Sequence, residues 1–250
     1  MLKQPITQSK FGLMLFIALM LLLIPISLVG TQVNLFALDD DRLTQWLVLL
    51  THSAGKEGFL LTLVVLIGWT WYRVPECRRQ WLDKAMQLGM LLVLAMILKT
   101  GIKHVTQSPR PYTEVMTQSL TLPSPQHFYR LDSQQQALAM EQMNGKVSSA
   151  RLAVWEQERD YSFPSGHTVF AALCLLFFGG IWLEQKHRLS ALLLLAWSGA
   201  IAFSRLWVGM HRPEDLFAAV LLIGALYLFV PKRYPWAWRY LPSFLRYQKQ

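Results

Sequence analysis

An all-α protein that crosses a membrane six times is what this sequence predicts, and three observations carry the prediction. Of its 250 residues 53% are hydrophobic and only 16% are charged, against roughly 25% charged in a soluble domain. The apolar residues are clumped into runs of about 15–20 bounded by charge, close to the length a membrane helix needs. The basic residues gather in short segments on one side of the resulting topology. The spans fall at 11–30, 57–73, 83–103, 166–184, 189–205 and 213–231, within one membrane-embedded domain covering 1–250. Several are short for a bilayer, so they extend into their flanks or bring in snorkelling Lys and Arg.

The first run, FGLMLFIALMLLLIPISLVG, follows Lys3 and Lys10 as a secretory leader would. Its core of about 19 residues is longer than a leader's apolar region, and no small-residue cleavage site follows, so it is read as an uncleaved span. In the segment 31–56, Leu43, Trp46, Leu47 and Leu50 recur at helical spacing. That fits either a short helix in the interface or a lead into the second span. Asp39, Asp40 and Asp41 have no metal-ligand partner nearby and read as a solvated turn. After the third span comes the long polar stretch 104–163, a length that marks a functional or an unstructured loop. Its part from Gln134 to Trp155, rich in Gln, Ala, Leu and Glu, predicts some helix. The last three spans follow with short connections, and the end RYPWAWRYLPSFLRYQKQ interleaves Trp, Tyr and Arg as an interfacial belt does.

Lys3, Lys10, Arg73, Arg78, Arg79, Lys84, Lys186, Arg188, Lys232, Arg233, Arg239, Arg246 and Lys249 fall on one side of the six spans. They are 13 of the 24 basic residues, and the positive-inside rule then places both termini in the cytoplasm. The net charge of +9 is thereby read as orientation and attraction to anionic lipid. No nucleic-acid partner is expected, because no motif for one accompanies the charge. Cys77 and Cys174 fall in a cytoplasmic connection and inside the fourth span, which implies neither a disulfide framework nor a Cys-based metal site.

Three polar clusters stand at span ends on the opposite, outer face. Lys103–Pro111 (KHVTQSPRP) closes the third span, Pro164–His167 (PSGH) opens the fourth, and Ser204–Asp215 (SRLWVGMHRPED) bridges the fifth and sixth. Lys103, Arg110 and Arg205 offer charge and N–H donors suited to a tetrahedral dianion. Ser165 and the Gly166 amide start a helix, where unpaired N–H groups favour an anion. Asp215, one turn after His211, is placed to accept its Nδ1 proton and leave Nε2 free to attack phosphorus. The simpler reading, that Asp215 only complements the helix dipole, accounts for neither His211 nor Arg205. His167, on another helix, is placed to protonate a leaving alkoxide.

These clusters match K-x6-RP, PSGH and SR-x5-H-x3-D without departure. In them the chain resembles the membrane branch of the type 2 phosphatidic-acid phosphatase superfamily. The resemblance implies an acid-phosphatase-like helical core with a partly helical periplasmic subdomain at 104–163, in a bacterial inner membrane, with the site facing the periplasm. It implies catalysis without metal or cofactor, in which His211 forms a phosphohistidine, Asp215 orients it, and His167 acts as acid and then activates water. Lys103, Arg110, Ser165, Gly166, Arg205 and Ser204 would bind phosphate.

By that resemblance the expected substrates are lipid phosphates, phosphatidylglycerophosphate first. Phosphatidic acid, lysophosphatidic acid, diacylglycerol pyrophosphate and undecaprenyl pyrophosphate follow. A dedicated undecaprenyl pyrophosphate phosphatase, a lipid phosphotransferase and an anionic-lipid transporter or binder are the alternatives, and no obligate protein partner is implied. Lys99, one turn before Lys103, either snorkels, the simpler reading, or attracts a second phosphate. Glu158 is expected at the entrance.

Overall fold

The computed structural model describes residues 10–38 and 42–240. Lys3, Asp39, Asp40, Asp41, Arg246, Lys249 and the Arg79 side chain lie outside the described set. The chain runs through α1 (Lys10–Gly30), α2 (Arg42–His52), α3 (Phe59–Arg73), α4 (Pro75–Arg79) and α5 (Trp81–Thr106). Next come α6 (Pro111–Gln118), a 3₁₀ turn (Pro125–Arg130), α7 (Ser133–Glu141) and α8 (Ser149–Gln157). Helix α9 (Gly166–Cys174) continues through a π turn (Leu175–Gly179) into α10 (Gly180–Glu184), followed by α11 (Arg188–Trp207), α12 (Pro213–Phe229) and α13 (Pro235–Arg239). No strand occurs among the described residues.

By length and composition, four helical runs suffice to cross a membrane: α1, α5, α9 through α10, and α11. Helices α3 and α12 occupy the places of the second and sixth expected spans but have 15 and 17 residues. At about 1.5 Å per residue they fall short of a hydrocarbon core of roughly 30 Å. The segment that opens with PSGH is the centre of the bundle. It is 78% buried over its apolar window, against 22% for α1, because α1, α5, α11 and α12 surround it. The outer helices turn Leu13, Ile17 and Leu21, Leu61 and Val64, and Val93 and Ile97 outward. A continuous apolar surface of that kind is what lipid tails require. Cys77 and Cys174 are buried and unpaired. Helix α2 ends at His52 and is separate from α3, so the helical spacing in 31–56 marks a distinct helix.

The stretch 104–163 folds around an apolar cluster of its own. Tyr112, Met116, Phe128, Met140, Met143 and Trp155 are fully buried there, together with Val208 and Met210 of the α11–α12 connection. Asp132 caps α7, accepting from Gln135 N–H at 2.8 Å, while the Gln135 side chain accepts from Asp132 N–H at 3.1 Å. The Trp155 indole donates to the Val208 carbonyl at 2.7 Å. Arg151 reaches the carbonyls of Trp207, Asn34 and Ala37 at 3.2 Å each. The insertion therefore grips the loop that carries His211.

Candidate active site

Four helix ends meet at one end of the bundle: the C-termini of α5 and α11 and the N-termini of α9 and α12. Helix α5 stops at Gln107, which adopts a left-handed conformation (φ 44°), and Pro111 starts α6 at a position that needs no N–H. Between them Arg110 is buried, 1% exposed. Its Nε donates to the Asp160 carbonyl at 2.8 Å and its Nη1 to the Met210 carbonyl at 3.2 Å. Nη2 meets Glu158 Oε2 at 3.3 Å and the Asp160 carboxylate. The Arg110 backbone N–H donates to the Tyr129 hydroxyl at 2.9 Å. Burial pushes that phenol up to about 12, so it keeps its proton at neutral pH.

Ser165 caps α9, its Oγ accepting from the Thr168 hydroxyl at 3.0 Å and the Thr168 N–H at 3.4 Å. Its own N–H donates to the Asp215 carbonyl at 3.1 Å, tying α9 to α12. The next N–H groups, of Gly166 and His167, belong to the first helical turn, where no carbonyl lies four residues back. His167 Nε2 stands 3.7 Å from Glu158 Oε1.

Gly55, in the α2–α3 connection, backs onto that imidazole. A Cβ there would lie 2.8 Å from His167 Nε2 and 2.9 Å from Glu57 Oε2. Gly55→Ala is therefore expected to push His167 aside and lower kcat about tenfold or more, since misplacement by about 1 Å has effects of that order. Steady-state kinetics with a thermal melt beside them check this, and an unchanged kcat would contradict the assignment.

Gly209, with φ 70°, lets the chain leave α11 in a conformation that other residues rarely adopt. The loop folds back so that the N–H groups of Met210 and His211 both donate to the Arg205 carbonyl, at 3.1 and 3.2 Å. His211 Nδ1 lies 3.1 Å from Asp215 Oδ2, and Nε2 lies 3.2 Å from Arg110 Nη1. A guanidinium has only donors, so Nε2 must present its lone pair and Nδ1 must carry the proton toward Asp215. Burial, with the Arg110, Arg205 and Lys103 charges, holds the His211 imidazole well below its ordinary range and hence neutral. Ser162 completes the group. Its hydroxyl donates to Asp215 Oδ2 and lies 3.2 Å from His211 Nδ1.

Arg205 is fully buried, with Nη2 donating to Glu158 Oε1 at 2.8 Å and Nη1 to the Thr51 hydroxyl at 3.0 Å. Lys103 Nζ lies 2.9 Å from Asp160 Oδ2 and donates to the Tyr161 carbonyl. Two carboxylates from one short segment thus hold the three cations. Burial alone would raise the Glu158 carboxyl, but the Arg205, His167 and Arg110 charges outweigh it and keep it well below the ordinary range. Asp160 is likewise lowered, because Arg110 and Lys103 outweigh its burial.

Because both folded-state values are lowered, the stabilisation is complete above the ordinary carboxyl value near 4. It is lost as pH falls through the folded values. The melting temperature in detergent is expected to fall below pH of about 4, and to fall less in Glu158→Gln. Equal falls in the two proteins would contradict this.

The structure brings together Lys103, Arg110, His167, Arg205, His211 and Asp215, with Ser165 and Gly166 at the start of α9. Ser204 is not among the groups facing them, since its hydroxyl donates to the Ile201 carbonyl inside α11 at 2.7 Å. Glu158 is central rather than peripheral. Lys99 lines a cavity of about 580 Å³ that opens from the site between α3, α5 and α9. The cavity is polar at Lys103, Arg110 and His167 and apolar at Phe59, Leu92 and Phe170. Asp160, Ser162, Gly55 and Thr51 are contacts that the sequence reading misses. Among the described residues no group of three or more His, Cys, Asp or Glu side chains converges as metal ligands do.

A family model described as the PAP2 superfamily matches residues 84–240, which hold all three clusters. Phosphatidylglycerophosphatase B of Haemophilus influenzae is 30% identical over 194 residues, 73% of this chain and 80% of that protein. The protein of the same name from Escherichia coli K12 is 29% identical over 182 residues, 70% of each chain. Bacitracin transport permease protein BcrC of Bacillus licheniformis is 38% identical over 76 residues, 30% of this chain and 35% of that one. Signature, family match and long relatives agree, and the chain belongs to the PAP2 superfamily, the type 2 phosphatidic-acid phosphatases.

Proposed function

We propose that this protein is a membrane-embedded lipid phosphatase that works through a phosphohistidine on His211. The family and its relatives support the lipid phosphatase. The observation that carries the mechanism is the meeting of Arg110, His211 and Asp215, distant in sequence, with Nε2 kept unprotonated toward the cations.

In the first step the Nε2 lone pair attacks phosphorus and the bond from phosphorus to the leaving oxygen breaks. His167 delivers a proton to that oxygen. In the second step His167 takes a proton from water, whose oxygen displaces Nε2 and releases inorganic phosphate. Splitting one displacement in two lowers each barrier, and Lys103, Arg110, Arg205 and the α9 amides hold the equatorial oxygens as charge develops. Ser162 and Asp215 keep the imidazole in register.

Phosphatidylglycerophosphate is the first substrate to test, since two long relatives carry that activity in their names. Rates on it and on undecaprenyl pyrophosphate, measured as phosphate release in detergent, decide the order. Label that passes to a second lipid would instead mark a phosphotransferase, and tight binding without turnover would mark a lipid binder. We read the chain as one domain with six spans, α3 and α12 completing the set, both termini cytoplasmic and the site periplasmic. In a background without Cys77 and Cys174, an impermeant thiol reagent should label Gln134→Cys in intact cells and spare Gln185→Cys. The reverse pattern would overturn the orientation.

Substrate phosphate has to exchange with the Asp160 carboxylate. Its side chain is 60% exposed, against 22% for Glu158, so it is the one placed to swing out. Asp160→Asn is therefore expected to lower the inhibition constant of inorganic phosphate several-fold, a charge-assisted contact having that order of effect. An unchanged constant would show that Asp160 does not compete.

A further inference from the structure

We infer that Glu57 selects the leaving group, so that the enzyme favours phosphate esters whose alcohol carries a hydroxyl on the carbon next to the ester carbon. The inference rests on the phosphatase reading above and adds the substrate class. It starts from the space that Gly55 leaves bare in the α2–α3 connection. A Cβ at that position would stand 2.8 Å from His167 Nε2 and 2.9 Å from Glu57 Oε2. The imidazole and the carboxylate therefore face one small space, which a residue without a side chain keeps open. An in-line displacement puts the leaving oxygen on the far side of phosphorus from His211, and His167 is the residue that protonates it. Glu57 thus stands where the first carbons of the leaving alcohol pass.

Among the described residues, the carboxylates that line the cavity are Glu57, Glu158 and Asp160. Two of them already carry cations. Glu158 takes Arg205 at 2.8 Å and Arg110 at 3.3 Å, and Asp160 takes Lys103 at 2.9 Å together with Arg110. Glu57 is held loosely, with Oε2 3.5 Å from His52 Nδ1 and Oε1 4.0 Å from Lys56 Nζ. Contacts that long, between side chains in reach of water, contribute little. Its oxygens are therefore the ones left to accept from a ligand hydroxyl. The turn that presents them is nonetheless anchored. The Thr62 hydroxyl donates to the Ser53 carbonyl at 2.7 Å, the Trp197 indole to the Ser53 hydroxyl at 3.0 Å, and the Phe59 N–H to the Gly55 carbonyl at 2.9 Å. Past Glu57 the wall turns apolar at Phe59, Leu92 and Phe170, where a tail would follow. A glycerol phosphate with its neighbouring hydroxyl free matches this order of groups, whereas an alcohol acylated at that carbon has no proton to donate.

The matched pair that tests this is lysophosphatidic acid against its 2-deoxy analogue, an acyl propanediol phosphate with the same tail. They differ by that hydroxyl alone. In Glu57→Ala the ratio of kcat/KM on the hydroxylated ester to that on the analogue is expected to fall roughly tenfold, the weight of one charge-assisted contact at a partly exposed site. Glu57→Gln, which keeps an acceptor without the charge, should fall between the two proteins. An unchanged ratio in Glu57→Ala, whether both rates hold or both fall, would overturn the assignment. A wild-type protein that releases no phosphate from any lipid would refute the phosphatase reading instead. Competition binding of the two lipids in detergent then still reads Glu57, because the wild type should bind the hydroxylated one more tightly and Glu57→Ala should bind the two alike. Equal binding by the wild type would overturn it.

Discussion

His211→Ala is expected to release phosphate at least about 10⁴ times more slowly than the wild type, the scale on which removing a nucleophile acts when its partners work as a unit. The side chain is buried, 3% exposed, yet its removal leaves the ion pairs of Glu158 and Asp160 in place, so folding should survive. The measurement is initial-rate phosphate release beside a detergent melt. An acid quench would strip the label from wild type and variant alike, because a phosphohistidine is labile in acid. Quenching in base and finding label on wild-type protein, absent from His211→Ala, ties the loss to the covalent step. Asp215→Asn should trap less label, since an amide cannot hold Nδ1–H as a carboxylate does. Full activity in His211→Ala would end the assignment.

Arg205→Ala is the second large effect, and it acts on both rate and stability. Arg205 is fully buried and is held by Glu158 at 2.8 Å and Thr51 at 3.0 Å. Its truncation removes a cation from the developing phosphate charge, with a loss of about a thousandfold in kcat, as for other preorganised donors. It also leaves Glu158 with one partner fewer in a desolvated site, a change that costs about 3–5 kcal/mol when a buried pair is broken. The melting temperature should drop with the activity. Arg205→Ala combined with Glu158→Gln should recover much of the stability and none of the rate, because the unmatched carboxylate is gone but the donor is still missing. Recovery of both, or of neither, would contradict this division of roles.

The outline of the site was legible in the sequence because motif residues announce themselves by type and spacing. Lys103, Arg110, His167, Arg205, His211 and Asp215 stand at or just beyond helix ends, and the packing of α5, α9, α11 and α12 brings those ends together. The charge of Glu158 and Asp160 was legible, but not its direction. In EQERD acids and bases alternate as they do on a solvated surface, and only the fold turns two of them inward. Ser162 gave no signal, since a hydroxyl beside a motif is common and its bond to Asp215 depends on how α9 meets α12. Gly55 matters only because the α2–α3 connection packs on α9, which no local pattern encodes. Ser204 shows the converse. Its place in the motif suggested a phosphate ligand, whereas a helical serine can satisfy itself on a carbonyl of the preceding turn, as Ser204 does on Ile201.

The hold of Trp155 and Arg151 on the segment after α11 bears on how relatives can be recombined. A chimaera that swaps residues 104–163 between two such proteins exchanges more than an outer decoration. The graft removes the donors that fix the Val208 and Trp207 carbonyls, three or four residues from His211, and inserts donors matched to a different loop. Activity would then vary with the fit of that seam as well as with the quality of either parent. The unit that can be transplanted intact is the insertion together with the segments it holds, residues 34–37 and 206–212.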